Sequence, residues 1–230
     1  MTDISNSGVR SPVSSGRRQG YAGKRALDVA LILGTLPFWG VVMIIVAIAV
    51  RIRLGSPVLF RQTRPGIAGR PFLMLKFRSM TDERTKQGDL ESDAARLTPF
   101  GMKLRAASLD ELPELLNVLR GEMSLVGPRP LLNEYLPRYS ARHAHRHDVR
   151  PGITGLAQVS GRNALSWPQK FDLDVEYAER CSLALDISIL WRTARAVLRR
   201  EGVAAADHAT MPEFTGYDST RETPPAAPLR

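Results

Sequence analysis

Cysteine is nearly absent from this 230-residue sequence, with Cys181 the only one. No internal disulfide can form, and no cysteine-built zinc site can assemble. That usage fits a reducing compartment for the soluble part. Aromatic residues are scarce, at 7%, and do not interleave with basic ones. A single-strand nucleic-acid groove needs aromatic stacking platforms, so nucleic acid is not an expected partner. The sequence contains no GxSxG elbow, no GxxxxGK[ST] phosphate loop and no internal repeat. Acidic residues are the minority, 23 against 32 Lys and Arg, leaving a formal charge of +9. An excess of that size calls for a polyanionic neighbour such as nucleic acid, anionic lipid or a phosphorylated substrate. Apolar content is 43%, enough for a packed core.

What the chain does have is one uncharged apolar run, Val29 to Val50. A run of roughly 18 or more apolar residues is a transmembrane candidate. It is longer than the ~7–15 apolar residues of a signal peptide, and no small-x-small cleavage site follows. Gly34, Pro37 and Gly40 interrupt its middle. Proline lacks a backbone donor and clashes with the preceding turn, so a break is expected at Pro37. Each half then has about 10–12 residues and reaches ~15–18 Å, short of a ~30 Å hydrocarbon core. Both flanks are basic: Arg17, Arg18, Lys24 and Arg25 before, Arg51, Arg53, Arg61 and Arg64 after. Positive flanks favour the cytoplasmic side. A segment that enters, turns at Pro37 and exits on the same face satisfies both flanks; a kinked ordinary span is the alternative.

Residues 1–23 are rich in Ser, Gly and Arg and read as a disordered tail; residues 204–230 read as a loosely ordered one. Between them, PVLFRQ and PFLMLKFR flank the turn residues of RPGIAGR, a predicted hairpin. TDERTKQGDLESD reads as a solvated loop or helix. Thr98-Pro99 is a helix start. Ser108 to Glu111 has capping-box spacing, and Leu112, Leu115, Leu116 and Leu119 follow at helical spacing up to Gly121. Pro113 either kinks the first turn or marks where the regular helix begins. A further helix starts near Ser166. The last, about Asp186 to Arg200, sets Ile187, Leu190, Trp191, Ala194, Val197 and Leu198 against a side lined by Arg192, Arg195, Arg199 and Arg200. That pattern suits either a membrane interface or the protein's own core.

Three constellations can carry chemistry. Asp110-Glu111 places adjacent carboxylates at or just before a helix start, where they can also simply cap it. In VGPRP, Pro128 and Pro130 stiffen the backbone around Arg129, and a fixed guanidinium suits bidentate phosphate contact; a plain rigid turn is the alternative. The glycine- and arginine-bearing stretch 150–163 suits an anion-binding loop. His143, His145 and His147 alternate, and on a strand would share one face. Among Arg142, Arg146 and Arg150 they read as a solvated or phosphate-facing cluster rather than a metal site.

Taken together, these strings resemble a known family, the bacterial sugar transferases called monotopic phosphoglycosyl transferases. The resemblance runs from about Lys24 to Gly216. It rests on KRALD, RQTRPG, LKFRSM, SLDELPELLNVLRGEMSLVGPRP, VRPGITGLAQVSGRN and SWPQKFDLDVEY, in that order. It is closest to the short members without an added transmembrane domain, such as the diacetylbacillosamine-phosphate transferase type. The resemblance implies an α+β, mostly helical fold with a re-entrant membrane helix broken at Pro37, a short β-hairpin and amphipathic surface helices. It implies a membrane helix over 24–53 and a catalytic domain over 54–203. The implied reaction moves a sugar 1-phosphate from a UDP-sugar to undecaprenyl phosphate at the cytoplasmic face of the bacterial inner membrane. UMP leaves and Mg2+ is the cofactor. Membrane lipid and glycosyltransferases of the same pathway are implied partners. By the match, Asp110 is the nucleophile, Glu111 holds the metal and Arg129 binds phosphate. Lys76, Arg105, Arg162 and Asn163 are the further substrate contacts. One departure stands out: the family's helix commonly breaks at Ser-Pro, and here the pair is Leu36-Pro37 with Thr35 one place earlier. A non-catalytic, membrane-tethered adaptor using the same basic charge is the competing reading.

Overall fold

Pro37 decides the first structural event. In the computed structural model, which describes residues 20–161, 164–199 and 213–217, the apolar run forms two helices. Helix α1 spans Lys24–Gly34 and α2 spans Leu36–Leu54, with Thr35 non-helical between them. Pro37 sits in the first turn of α2, where its missing N–H costs nothing. At the break two side chains add donors to the carbonyls of α1, one to Leu31, which also accepts from Thr35 N, and one to Ile32. Thr35 Oγ1 donates to the Leu31 carbonyl at 2.7 Å, and Trp39 Nε1 to that of Ile32 at 2.8 Å. Thr35 thereby back-bonds to the helix despite standing one place from the usual serine.

The two arms are unequal, at 11 and 19 residues, against the equal halves that the central position of Pro37 suggests. α2 gains length because its final turns lie on the soluble domain. Val46 and Val50 are buried with Phe77 and Leu104. α1 is pinned at its start: Lys24 Nζ pairs with Asp186 at 2.5 Å, and Asp28 accepts from Ser124 Oγ at 2.7 Å. Arg25 donates to the carbonyls of Val118 and Leu119. Both arms are therefore anchored on one domain. Phe38, Val41, Ile44, Ile45 and Ile48 between them stay more than half exposed.

The rest is mostly helical. Strands β1 (Leu59–Pro65) and β2 (Pro71–Phe77) form the antiparallel hairpin. α3 (Asp93–Arg96) and α4 (Pro99–Ala106) follow, with Thr98 Oγ1 capping Gly101 N at 3.0 Å. α5 (Glu114–Arg120) ends in left-handed Gly121. β3 (Ser124–Val126) pairs in parallel with β4 (Gly152–Thr154), a ladder too short to show as a strand pattern in sequence. Between them lies α6 (Ala141–Ala144), and α7 (Leu156–Ser160) follows β4. α8 (Trp167–Arg180) opens with a full capping box from Ser166 and Gln169. α9 (Leu183–Leu198) buries Asp186 and Ile189 and leaves Leu183, Ile187 and Trp191 exposed. The last helix thus serves the core with one side and presents an apolar side outward. Of the predicted C-terminal tail, the described residues include a buried Phe214, edge-on to Phe171 at 5.0 Å.

Candidate active site

The carboxylate pair sits on a strained turn rather than in a capping box. Ser108 is left-handed (φ 54°), and its side chain caps nothing. A non-glycine residue there costs ~1–3 kcal/mol and persists only where its surroundings enforce it. A 3₁₀ turn, Leu109–Glu111, follows. The regular helix begins only after Pro113, because the Pro113 nitrogen has no proton to continue a ladder. Asp110 and Glu111 are consequently held on a turn of their own. On α5, the side chain of Asn117 is buried, accepting from Leu75 N and donating to the Leu73 carbonyl, which ties the helix to β2.

Strand β2 delivers Lys76, whose Nζ lies 2.8 Å from Glu111 Oε1 and 3.1 Å from Glu114 Oε1. Arg129 reaches the same Glu111 oxygen at 2.6 Å. Burial alone would raise the Glu111 pKa, but Arg129 and Lys76 pull it down to about 2. Glu114 has burial as its dominant influence and is pushed up to about 7. Burial also raises Asp110, with Glu111 adding to the shift and Lys76, Arg105 and Arg129 opposing it. Arg129 in turn is held further up, chiefly by Glu111. Arg105 is braced by Ser79, whose Oγ accepts from its Nε at 3.0 Å. Five of the residues expected at the site, Lys76, Arg105, Asp110, Glu111 and Arg129, are thus brought together. Arg162 and Asn163 lie outside the described residues.

The loop carrying Arg129 is positioned by backbone contact. A Cβ on Gly127 would meet the Arg150 carbonyl oxygen at 2.3 Å, and one on Gly152 would meet Gly127 N at 2.0 Å. Gly155 is as tightly placed, 2.2 Å from the Gly127 carbonyl oxygen by the same measure. These glycines let the two loops touch. Their role here is packing, and Thr154 and Gln158 of the same stretch border the cavity beside the carboxylates. Arg146 then locks the Arg129 backbone, donating to its carbonyl at 2.8 Å while pairing with buried Asp174 at 2.7 Å.

The histidines do not form a unit. His143 packs on Asp172 and Tyr217, His145 pairs with Asp148, and buried His147 faces the Gly66 carbonyl. Burial and Arg146 hold His147 down to about 3, so it stays neutral. Arg146 is buried, borders the cavity beside the carboxylates and is paired with Asp174.

A cavity of ≈ 580 Å³ opens beside the carboxylates, bordered by Ser108, Glu111, Arg129, Trp167, Lys170 and Thr193 among others. Such a volume suits a small-molecule ligand. Glu114 and Lys170 are site neighbours that sequence reasoning missed. Glu114 carried a visible signal, since it follows the pair at one helical turn. Among the described residues no group of three or more His, Cys, Asp or Glu could hold a metal. Magnesium does not require one: it is commonly held by one or two carboxylates plus substrate phosphates and water. Glu111 offers one such carboxylate.

Charged side chains converge on a cavity, on a domain whose helix α2 is long and apolar enough to cross a membrane. Over residues 19–200 the sequence matches the family described as bacterial sugar transferase. The chain belongs to that family, and it is a phosphoglycosyl transferase. It is 51% identical over 193 residues to an uncharacterized sugar transferase, EpsL, of Bacillus subtilis, covering 84% of this chain and 96% of that one. It is 40% identical over 185 residues to the UDP-glucose:undecaprenyl-phosphate glucose-1-phosphate transferase of Caulobacter vibrioides, covering 76% and 69%. It is 40% identical over 168 residues to the undecaprenyl-phosphate galactose phosphotransferase of Salmonella typhimurium, covering 65% of this chain and 35% of the longer relative.

Proposed function

We propose that the protein transfers a sugar 1-phosphate from a UDP-sugar to undecaprenyl phosphate by way of an aspartyl phosphosugar on Asp110. An Asp110 oxygen attacks the sugar-bearing phosphorus. The bond from that phosphorus to the bridging oxygen breaks, and UMP leaves with the electron pair. An oxygen of undecaprenyl phosphate then attacks the same phosphorus, frees the Asp110 carboxylate and yields the lipid diphosphate-sugar. Splitting one transfer into two displacements is the general advantage of covalent catalysis. The carrying observation is the strained turn at Ser108, which sets Asp110 beside a cavity bordered by Glu111 and Arg129. Arg129 suits phosphate oxygens that develop charge during each displacement. Lys76 and Arg105 favour the ionised Asp110 that attack requires. When bound, Mg2+ held by Glu111 would offset the charge of the diphosphate.

Glu111 borders the cavity directly and is the second candidate for the attacking carboxylate. Its depressed pKa and two paired cations make it the weaker nucleophile. Intact mass decides between them. Wild type incubated with donor alone should gain one phosphosugar, Asp110→Asn should not, and a shift lost only in Glu111→Gln would reverse the assignment. If wild type releases no UMP across a panel of UDP-diacetylbacillosamine, UDP-N-acetylgalactosamine, UDP-glucose and UDP-galactose, the adaptor reading takes over. Diacetylbacillosamine is the first donor to try, because of the short-member resemblance.

The helical pair is read as a re-entrant membrane hairpin. The anchoring of both arms on one domain supports it, as do the bare apolar residues around the break and the outward Ile187 and Trp191 of α9. The catalytic domain then rests on the cytoplasmic face, where a soluble donor meets a lipid acceptor in the first membrane step of glycan assembly. A reporter at the N-terminus should lie on the same side as the domain; an external N-terminus would exclude the hairpin.

A further inference from the structure

Besides Arg129 and the buried Arg146, the cavity is bordered by a further cation that the chemistry above leaves unused. Lys170, on α8, borders the same ≈ 580 Å³ space as Arg129. Its Nζ lies 5.1 Å over the Trp167 ring, within the ~6 Å reach of a cation–π contact. Trp167 is itself fixed, stacked on Phe171 at 5.5 Å and edge-on to Tyr135 at 5.6 Å. A long side chain is thus held against a rigid wall, which lessens the ordering cost of gripping a ligand. Asp174, one turn further along α8, pairs with Arg146 through contacts of 2.7 and 3.1 Å and also favours the charged form of Lys170. Burial and the charge of Arg129 both hold the Lys170 pKa below its ordinary value. Like charges bordering one cavity repel each other, and an anion between them relieves the repulsion.

We propose that Lys170 binds the nucleotide-side phosphate of the donor while Arg129 takes the sugar-side phosphate next to Asp110. The inference rests on the donor reading given above. Three cations border the cavity: Arg146 is buried against Asp174, and Arg129 and Lys170 match the two phosphates of a nucleoside diphosphate sugar, whereas the lipid acceptor brings one phosphate. Thr154, Gln158 and Thr193 border the same space, the two threonine hydroxyls 2.7 Å apart, and form its polar wall. Lys170 then also stabilises the charge that builds on UMP as it departs.

The test uses the full chain in lipid nanodiscs. UMP binding is measured by calorimetry for wild type, Lys170→Met and Lys170→Arg, and KM is measured separately for donor and for undecaprenyl phosphate. Lys170→Met should weaken UMP binding and raise donor KM about 10- to 100-fold, the scale of one lost charged hydrogen bond. Lys170→Arg should recover most of both, and acceptor KM should hold. Unchanged UMP binding in Lys170→Met overturns the proposal, as does a KM rise confined to the acceptor. Lys170→Gln is read in its place if Lys170→Met loses its unfolding transition. UMP binding needs no turnover, so Asp110→Asn should show the same dependence on Lys170. Failure of the transfer reading appears instead as no UMP release by wild type, with or without Lys170.

Discussion

Two clusters of charge flank the short strand β3, and they are finished differently. In the first, Lys24, Asp186 and Tyr177 are each at most 5% exposed, and Tyr21 donates to Asp186 at 3.0 Å. Lys24 Nζ reaches the Tyr177 hydroxyl at 3.0 Å, and that hydroxyl lies 2.7 Å from Asp186 Oδ1. The second cluster, Lys76, Glu111 and Arg129, opens outward: the Arg129 side chain is 45% exposed and borders the cavity. In the closed cluster every charge is matched and water is excluded, so no ligand can compete for a partner. In the open one, phosphate can take Arg129 from Glu111. The same ion-pair chemistry holds the chain together in one place and remains available in the other. β3 connects them, since Asp28 grips Ser124 and Leu125 while Tyr177 reaches the Val126 carbonyl. Arg129 follows three residues later, so the docked α1 helix also holds the strand that leads into the Arg129 loop.

The contrast can be broken from either end. Asp110→Asn should lower UMP release by about 10⁴-fold or more while leaving the unfolding midpoint nearly unchanged, as expected for a residue that acts only in the reaction. Asp186→Ala should do the reverse. It strands Lys24 in a dry site and should cost ~3–5 kcal/mol of stability in chemical denaturation. Arg129→Lys keeps the charge but loses the planar fork, and should reduce kcat/KM about 100-fold in steady-state UMP release. Glu114→Gln sharpens the comparison through pH. The folded state keeps a proton on Glu114 up to about 7, where the unfolded chain releases it near 4.5, so wild-type stability falls as pH rises between those values. The variant should flatten that fall by ~1–3 kcal/mol in denaturation series at stepped pH. Thr35→Val removes one back-bond at the helix break and should cost only ~0.5–1.5 kcal/mol, measured in the same assay.

Much of this was legible in the sequence, and the parts that were not share a cause. The break at Pro37, the hairpin and the Thr98 and Ser166 caps are local devices, and each follows from a few adjacent residues. The unequal arms could not be read, because α2 is prolonged by Val50 packing against Phe77 and Leu104 far along the chain. Ser108 had the spacing of a capping box, but Pro113 and the packing of α5 impose a left-handed turn in its place. Within HAHRH, only burial separates the locked Arg146 guanidinium and the enclosed His143 and His147 from the exposed His145 ring. Lys170 stands in the family-like string SWPQKFDLDVEY, but nothing local relates α8 to the Arg129 loop.

By itself, the sequence determined the apolar arm and its break, the helix starts and the carboxylate pair. These depend on backbone chemistry and on residues within a turn or two of each other. Only the tertiary structure decided which charges would be sealed and which left open. Lys24 meets Asp186 across 162 positions, and Glu111 meets Lys76 across 35 and Arg129 across 18. An ion pair becomes a brace or a phosphate site according to how completely other parts of the chain remove it from water, and that exclusion is a property of packing rather than of residue order.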